Sequence, residues 1–438
     1  MLESLHLKNV GPAPEMKLDL APRLNLITGD NGLGKSFLLD VAWWALTRKW
    51  PQDLNADLTS GYPARPTNLE EKATIKFAVQ SKTGRVEYES SYVPSEQSWL
   101  GKSGRPWNPG LVIYALADGG FAVWDPARNY WKKKGSIDIQ DRVPAYVFSA
   151  KEVWSGLRVL IDNKPTQVSN GLVADWASWI REKGDDARRM ASVLGLLAPT
   201  VGEDSLKPGE GFGRLSINDA QDIPTVRMGY GQEVPILYAS LGVRRIAALA
   251  YMLSWAWREH LVASKQLAQA PSSRAVLLFD EIEAHLHPRW QRVVVPALLK
   301  VMQMLTDDTS ATVQLIAATH LPLVLASLEL LFDIEQDRLF LLDIKDKVVS
   351  LREEQLGDAG RRHQLARLGQ LRPQAGPFGG GGAGDRRRRS LDAGDKDKLP
   401  ADLSTQEAIH AELQRVLAGH DHFWPRWIVS VEKQGKAK

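Results

Sequence analysis

The octapeptide Gly29-Asp30-Asn31-Gly32-Leu33-Gly34-Lys35-Ser36 constrains this chain more than any other stretch, because it has the spacing G-x-x-x-x-G-K-[ST]. The apolar run Arg23-Leu24-Asn25-Leu26-Ile27-Thr28 precedes it, and Phe37-Leu38-Leu39-Asp40-Val41-Ala42 follows. Strand, glycine-rich turn and helix thus stand in the order that a phosphate-cradling loop needs. Its glycines let successive backbone N–H groups turn toward phosphates, and the new helix adds the positive end of its dipole. In such a loop Lys35 reaches the β- and γ-phosphates, and the Ser36 hydroxyl ligates Mg²⁺. A chance glycine-rich loop would lack the flanking strand and helix, so we expect the chain to bind a nucleoside triphosphate.

Bulk properties narrow the class further. The length of 438 residues suggests about two or three structural units. A hydrophobic content of 44% and a charged content of 24% are those of an ordinary globular protein. The net charge of +3 neither demands nor excludes nucleic acid, because a basic stripe can hide inside a near-neutral total. With no cysteine, disulfides and thiolate metal sites are impossible. No apolar run reaches membrane-spanning length, and Met1-Leu2-Glu3-Ser4-Leu5 does not begin a signal sequence. The expectation is a cytoplasmic protein without a membrane partner.

Taken in order, Leu2–Val10 and Met16–Leu20 alternate as two antiparallel strands that lead into the phosphate-loop strand. Ala73–Val79 and Arg85–Glu89 read as a hairpin, Leu111–Tyr114 and Phe121–Trp124 as another, and Ala145–Phe148 as one more strand. Residues 165–205 read as helical, with Leu172, Trp176 and Trp179 on one apolar face and Met190, Val193 and Leu194 on the next. The tryptophans are assigned to the core rather than to base stacking, since large aromatics dominate cores. A glycine-rich loop at Gly209–Gly213 and a strand pair between Thr225 and Pro235 follow.

Three further motifs carry chemistry. Ser240 N-caps a long helix that starts Leu241-Gly242-Val243, with Gly242 leaving the first turn open. Ala275-Val276-Leu277-Leu278-Phe279 is a continuous apolar run, hence a strand buried on both faces, and Asp280-Glu281 closes it. Acids at the carboxyl end of a parallel sheet lie where such sheets place ligands, and Mg²⁺ would meet their charge. Val313–Thr319 is another buried strand, and it ends in His320. After a phosphate loop and an acid pair, that histidine reads as a phosphate sensor.

In this order the motifs resemble those of ATP-binding-cassette ATPases. Asp280-Glu281-Ile282-Glu283-Ala284-His285-Leu286-His287-Pro288 with Ala318-Thr319-His320-Leu321-Pro322 is closer still. It is similar to the soluble branch shared by SMC- and RecF-like repair ATPases, overcoming-lysogenization-defect nucleases, and the Septu and retron anti-phage ATPases. The resemblance covers roughly residues 1–345. It implies an α/β, ABC-type P-loop NTPase with a mixed parallel core sheet, an antiparallel β subdomain and a helical signature subdomain. It implies that residues 29–36 hold ATP, that Ser36 and Asp280 hold Mg²⁺, and that Glu281 polarises the attacking water. His320 would contact the γ-phosphate. Ser240 and Gly242 would contact that of an opposite subunit, which makes the expected assembly a homodimer with composite ATP sites.

The chain departs from the family pattern at the signature, which reads Ala-Ser-Leu-Gly-Val instead of Leu-Ser-x-Gly-Gln. The glutamine of the loop after the central strand has two candidate positions, Gln140 and the strand end at Ser149–Glu152. His285 and His287 beside Glu281 and Glu283 could suggest a metal cluster, but i, i+2 spacing alone carries no ligand geometry, and the family uses that segment as a subunit-contact loop.

We divide the chain into 1–150 (phosphate loop and β subdomain), 151–237 (helical insert) and 238–352 (signature, acid pair and His320), followed by 353–404 and 405–438. Residues 359–394 combine Arg361-Arg362, four glycines from Gly379 and four arginines from Arg386, without a helical or strand period. Disorder, a basic arm for nucleic acid, and a compensated shift of reading frame are the competing accounts. From Thr405 a helix resumes, ending in the apolar Phe423–Val429.

The functional expectation is an ATPase that controls a DNA-repair or anti-phage complex, with a partner nuclease or other effector and with DNA as a further candidate ligand. A transporter subunit fits less well, because residues 37–239 separate loop and signature by more than that family uses. A nuclease would need a further acidic domain, and Asp343 with Asp346 lacks the pattern that two-metal chemistry requires.

Overall fold

Eight strands form the central sheet, in the order Val348–Glu354, Asp337–Lys345, Leu24–Gly29, Thr312–Thr319, Arg274–Phe279, Leu111–Ala115, Phe121–Trp124, Tyr146–Phe148. The computed structural model describes residues 1–354 apart from 103–106, 130–142, 162, 200–205 and 330. Gln140, the Gly/Arg-rich stretch with its reading-frame question, and the helix and aromatic tail beyond Thr405 lie outside the described residues.

The second to sixth strands run parallel. Their registers align Thr28 with Thr319, and Ala115 and Ala317 with Phe279, so their carboxyl ends share one edge. The apolar runs explain why these segments become central strands. Ala275, Leu277 and Phe279 enter the core on one face of the sheet, while Val276 and Leu278 enter the core on the other. A strand that must satisfy two apolar layers has no polar side to show. Replacing a residue such as Leu277 by alanine would cost about 2–5 kcal/mol.

The first face is covered by helices Gly171–Glu182, Asp185–Leu197, Leu241–Gln266 and Val294–Thr306. Trp176 and Trp179 are buried there, as their assignment to the core requires. The other face carries helix Lys35–Thr47 and a five-stranded antiparallel sheet, ordered Glu15–Asp19, Leu2–Lys8, Thr74–Ser81, Gly84–Val93, Ser98–Trp99. That helix is apolar nearly all round, because it lies between two sheets. Gln314, buried on the central sheet, joins the layers: its amide accepts from Leu2 N–H at 2.7 Å and donates to the carbonyls of Leu2 at 2.7 Å and Ala21 at 2.9 Å.

Two sequence expectations need correction. Residues 151–237 are not purely helical, since Leu157–Ile161 and Lys164–Ser169 form a hairpin ahead of helix Gly171–Glu182. Gly209–Gly213 is no loop but part of strand Lys207–Gly213, which pairs with Ile223–Arg227, itself paired with Glu233–Pro235. Strands Leu111–Ala115 and Asp337–Lys345 each combine an antiparallel hairpin partner with a parallel neighbour in the central sheet.

Candidate nucleotide site

The phosphate loop leaves the middle of the parallel sheet. Gly34 is the N-cap of helix Lys35–Thr47 with φ +94°, and a side chain there would bring its Cβ to 2.7 Å from Pro12 Cγ. Left-handed backbone and close packing both call for glycine. No side chain caps this helix, which leaves its first N–H groups for a ligand. Lys35 is buried, and its ammonium donates to the carbonyls of Gly29 and Asp30, each at 2.8 Å. Burial holds it below the usual lysine range, opposed chiefly by the nearby charges of Glu283, Asp280 and Glu281. Asp30 and Asn31 are exposed at the turn, and Leu33 packs inward.

Across the edge, Asp280 follows strand Arg274–Phe279 and is 1% exposed, with neither carboxylate oxygen hydrogen-bonded in good geometry. Burial pushes its carboxyl up to about 6; proximity of the Ser36 hydroxyl draws it down. Glu281 is half-buried and takes the left-handed conformation, φ +46°, which costs a non-glycine residue of order 1–3 kcal/mol. Its carbonyl accepts from Ala284 N–H at 2.8 Å and from Arg245 at 3.2 Å, and Arg245 also donates to the Asp280 carbonyl at 3.3 Å. His320 follows the neighbouring strand. Its backbone N–H donates to Glu283 Oε1 at 2.8 Å, and its ring Nδ1 lies 2.9 Å from the same oxygen.

The signature stands on the other side of the acid turn. Ser240 is exposed and accepts from Val243 N–H at 3.4 Å, the N-cap geometry expected of it. Gly242, however, does not leave the turn open. It is buried, and a Cβ there would come within 2.7 Å of the His285 carbonyl, so this glycine lets the helix close on the acid loop. His287 Nδ1 accepts from Arg289 N–H at 3.3 Å and caps a short helix, Pro288–Gln291.

Loop, Asp280, Glu281 and His320 are thus brought to one edge, with the signature reaching the acids through Arg245. Four residues there were given no role at the nucleotide from sequence. Asp40, one turn beyond Ser36, is 8% exposed and accepts from the Tyr114 hydroxyl at 2.8 Å; burial pushes its carboxyl up to about 8. An acid on an otherwise apolar helix was the available signal. Arg245 is held below the usual arginine range by burial. Glu283 is buried under His320. Asp118 lies in the loop after strand Leu111–Ala115, where it accepts from Thr59 and Ser60. Ser149–Glu152 follows the strand at the far edge instead, and the Glu152 carboxylate is engaged by Ser149 and Asn55.

The family model described as "AAA domain, putative AbiEii toxin, Type IV TA system" matches residues 24–326, from the phosphate-loop strand to just beyond His320. The chain belongs to this AAA family. The parallel strand order, with phosphate loop and acid pair at its carboxyl edge, gives this one an α/β P-loop fold. A curated relative, the "Retron Vc95 probable ATPase" of Vibrio cholerae serotype O1 biovar El Tor, is 31% identical over 97 residues, which is 22% of this AAA protein and 17% of the relative. The match therefore spans well under two thirds of that relative's length. Among solved structures, the SMC head domain from Thermotoga maritima is 12% identical, covering 81% of this chain and 99% of that one with a TM-score of 0.38. The recombination mediator protein RecF-ATPrS is 14% identical, covering 80% and 98% with a TM-score of 0.37. Among the described residues of the AAA protein, no helix is long and apolar enough to cross a membrane.

Proposed function

We propose that this AAA protein binds and hydrolyses ATP, closes as a homodimer around two composite ATP sites, and so controls an anti-phage or DNA-repair complex through a partner nuclease or other effector, with DNA as a further ligand. The observation that carries the hydrolytic reading is Asp280. A buried carboxylate without a hydrogen-bond partner, facing Ser36, is costly unless a cation meets it, and its oxygen donors suit Mg²⁺. Ser36 and Asp280 would hold that ion. When bound, Mg²⁺ supplies charge neutralisation at the β- and γ-phosphates.

The remaining roles belong to the protein's own groups. Lys35 exchanges the Gly29 and Asp30 carbonyls for phosphate oxygens, a short swing for an ammonium already at the loop. Glu281, fixed by its strained backbone, accepts a proton from the attacking water. His320 meets the γ-phosphate from the adjacent strand. Ser240 is exposed and its helix start offers N–H groups, so a second copy's γ-phosphate could be received there. The family match and the partial likeness to the retron ATPase support the defence reading over others.

Calorimetry tests the first step. Lys35→Ala removes a charge-assisted contact of about 1.5–3 kcal/mol, so ATP affinity should fall about 10- to 150-fold. Unchanged affinity would refute the loop assignment.

A further inference from the structure

Glu283 is used by neither the phosphate loop nor the acid pair, yet it is 2% exposed at the centre of the site. Its Oε1 accepts the His320 backbone N–H at 2.8 Å and faces the ring Nδ1 at 2.9 Å. The ring contact is short but not aligned as a hydrogen bond, and the second carboxylate oxygen, Oε2, has no hydrogen-bond partner. The charge of Glu283 is also the largest of the nearby acids acting on Lys35, and it acts on Arg245 as well. A buried carboxylate so placed would be expensive to keep for packing alone.

We propose that Glu283 is the positioning residue of His320: it anchors the backbone where the strand ends and holds the ring by Nδ1, so that Nε2 is the nitrogen presented to a phosphate. This rests on the reading of His320 as the γ-phosphate contact. The physical basis is the choice between ring nitrogens. A carboxylate facing Nδ1 selects ring forms that carry a proton there, because a bare lone pair would face negative charge. With Nδ1 committed, only Nε2 remains for the substrate. To meet a phosphate oxygen, which is an acceptor, Nε2 must carry a proton as well, so that each nitrogen donates. A slight rotation of the ring would align the Nδ1 contact. The Glu283 anchor thereby links the acid loop to the histidine strand, and its field reaches Lys35 on the phosphate loop.

The test has one structural and one kinetic arm, both on the full chain. Nitrogen-15 NMR of histidine-labelled protein without nucleotide, with the signal assigned through His320→Gln, reads which ring nitrogen carries the proton. Protonation at Nδ1 is expected in the wild type, with a drift toward a mixture in Glu283→Gln. In the kinetic arm, Glu283→Gln should lower kcat about 10- to 100-fold, the scale on which a carboxylate orienting a functional imidazole acts. KM should stay within about twofold, and combining the variant with His320→Gln should cost nothing beyond His320→Gln alone. A wild-type ring protonated only at Nε2 overturns the proposal even if the variant fails to fold, and so do additive losses. Absence of nucleotide turnover in the wild type would instead remove the functional reading, and the ring form would still decide what Glu283 does.

Discussion

Asp40 illustrates how far the fold moves a single residue from its behaviour in water. Buried beneath the Tyr114 hydroxyl, its carboxyl is pushed up to about 8, mainly by burial, with Asp280 and Asp118 adding to the effect. Between about pH 4 and pH 8 the unfolded chain gives up this proton while the folded chain keeps it. The stability that Asp40 contributes is therefore complete below about pH 4 and declines as pH rises toward 8. An asparagine side chain at this position would lack the slope, while its amide oxygen would still accept from Tyr114. In EDTA, the urea midpoint of Asp40→Asn should gain on the wild type between about pH 5 and about pH 8. A constant offset across that range would mean that Asp40 ionises normally. A neutral acid one turn beyond Ser36 also keeps a second negative charge away from Asp280, which leaves that carboxylate to a cation.

At the scale of elements, Gln314 ties the first strand to the central sheet through two hydrogen bonds with Leu2 and holds Ala21 by a third. Gln314→Leu would leave one N–H and two carbonyls without that partner. We expect a loss of about 1–3 kcal/mol in urea unfolding, and a change below about 0.5 kcal/mol would mean that the layers are held otherwise. The alternating Leu5 and Leu7 made this strand legible in the sequence, and the continuous Ala275 run did the same for its own, because the first buries one face and the second buries both. The Leu157–Ser169 hairpin went unread although Leu157, Val159 and Ile161 alternate toward one face, because Lys164, Pro165 and Gln167 leave its return strand without a matching signal. Strand Lys207–Gly213 was hidden by its glycines, which argue for a turn until the ladder to Ile223–Arg227 outweighs local preference. The phosphate loop and acid pair were readable because their spacing is local. Glu283 and His320 are separated by 37 residues and meet only once two strands are in register, so no local pattern could disclose their contact.

For the whole molecule, the composite-site proposal makes nucleotide a determinant of assembly. Glu281→Gln keeps the shape of the acid turn but removes the proton acceptor, so ATP should persist and hold two copies together. Light scattering should find this variant in ATP and Mg²⁺ at about twice its mass in ADP, and adding Ser240→Arg should reverse the change. Masses indifferent to nucleotide in both variants would end the composite-site reading. The strand order bears also on how such a protein is made. Strand Leu24–Gly29 has as its neighbours Thr312–Thr319 and Asp337–Lys345. At about 5–20 residues per second, a ribosome leaves this apolar strand without either neighbour for roughly a quarter of a minute or longer. The segment that will cradle phosphate emerges well before both of its neighbours and is among the last to find its place, and until then it is a natural client for a chaperone.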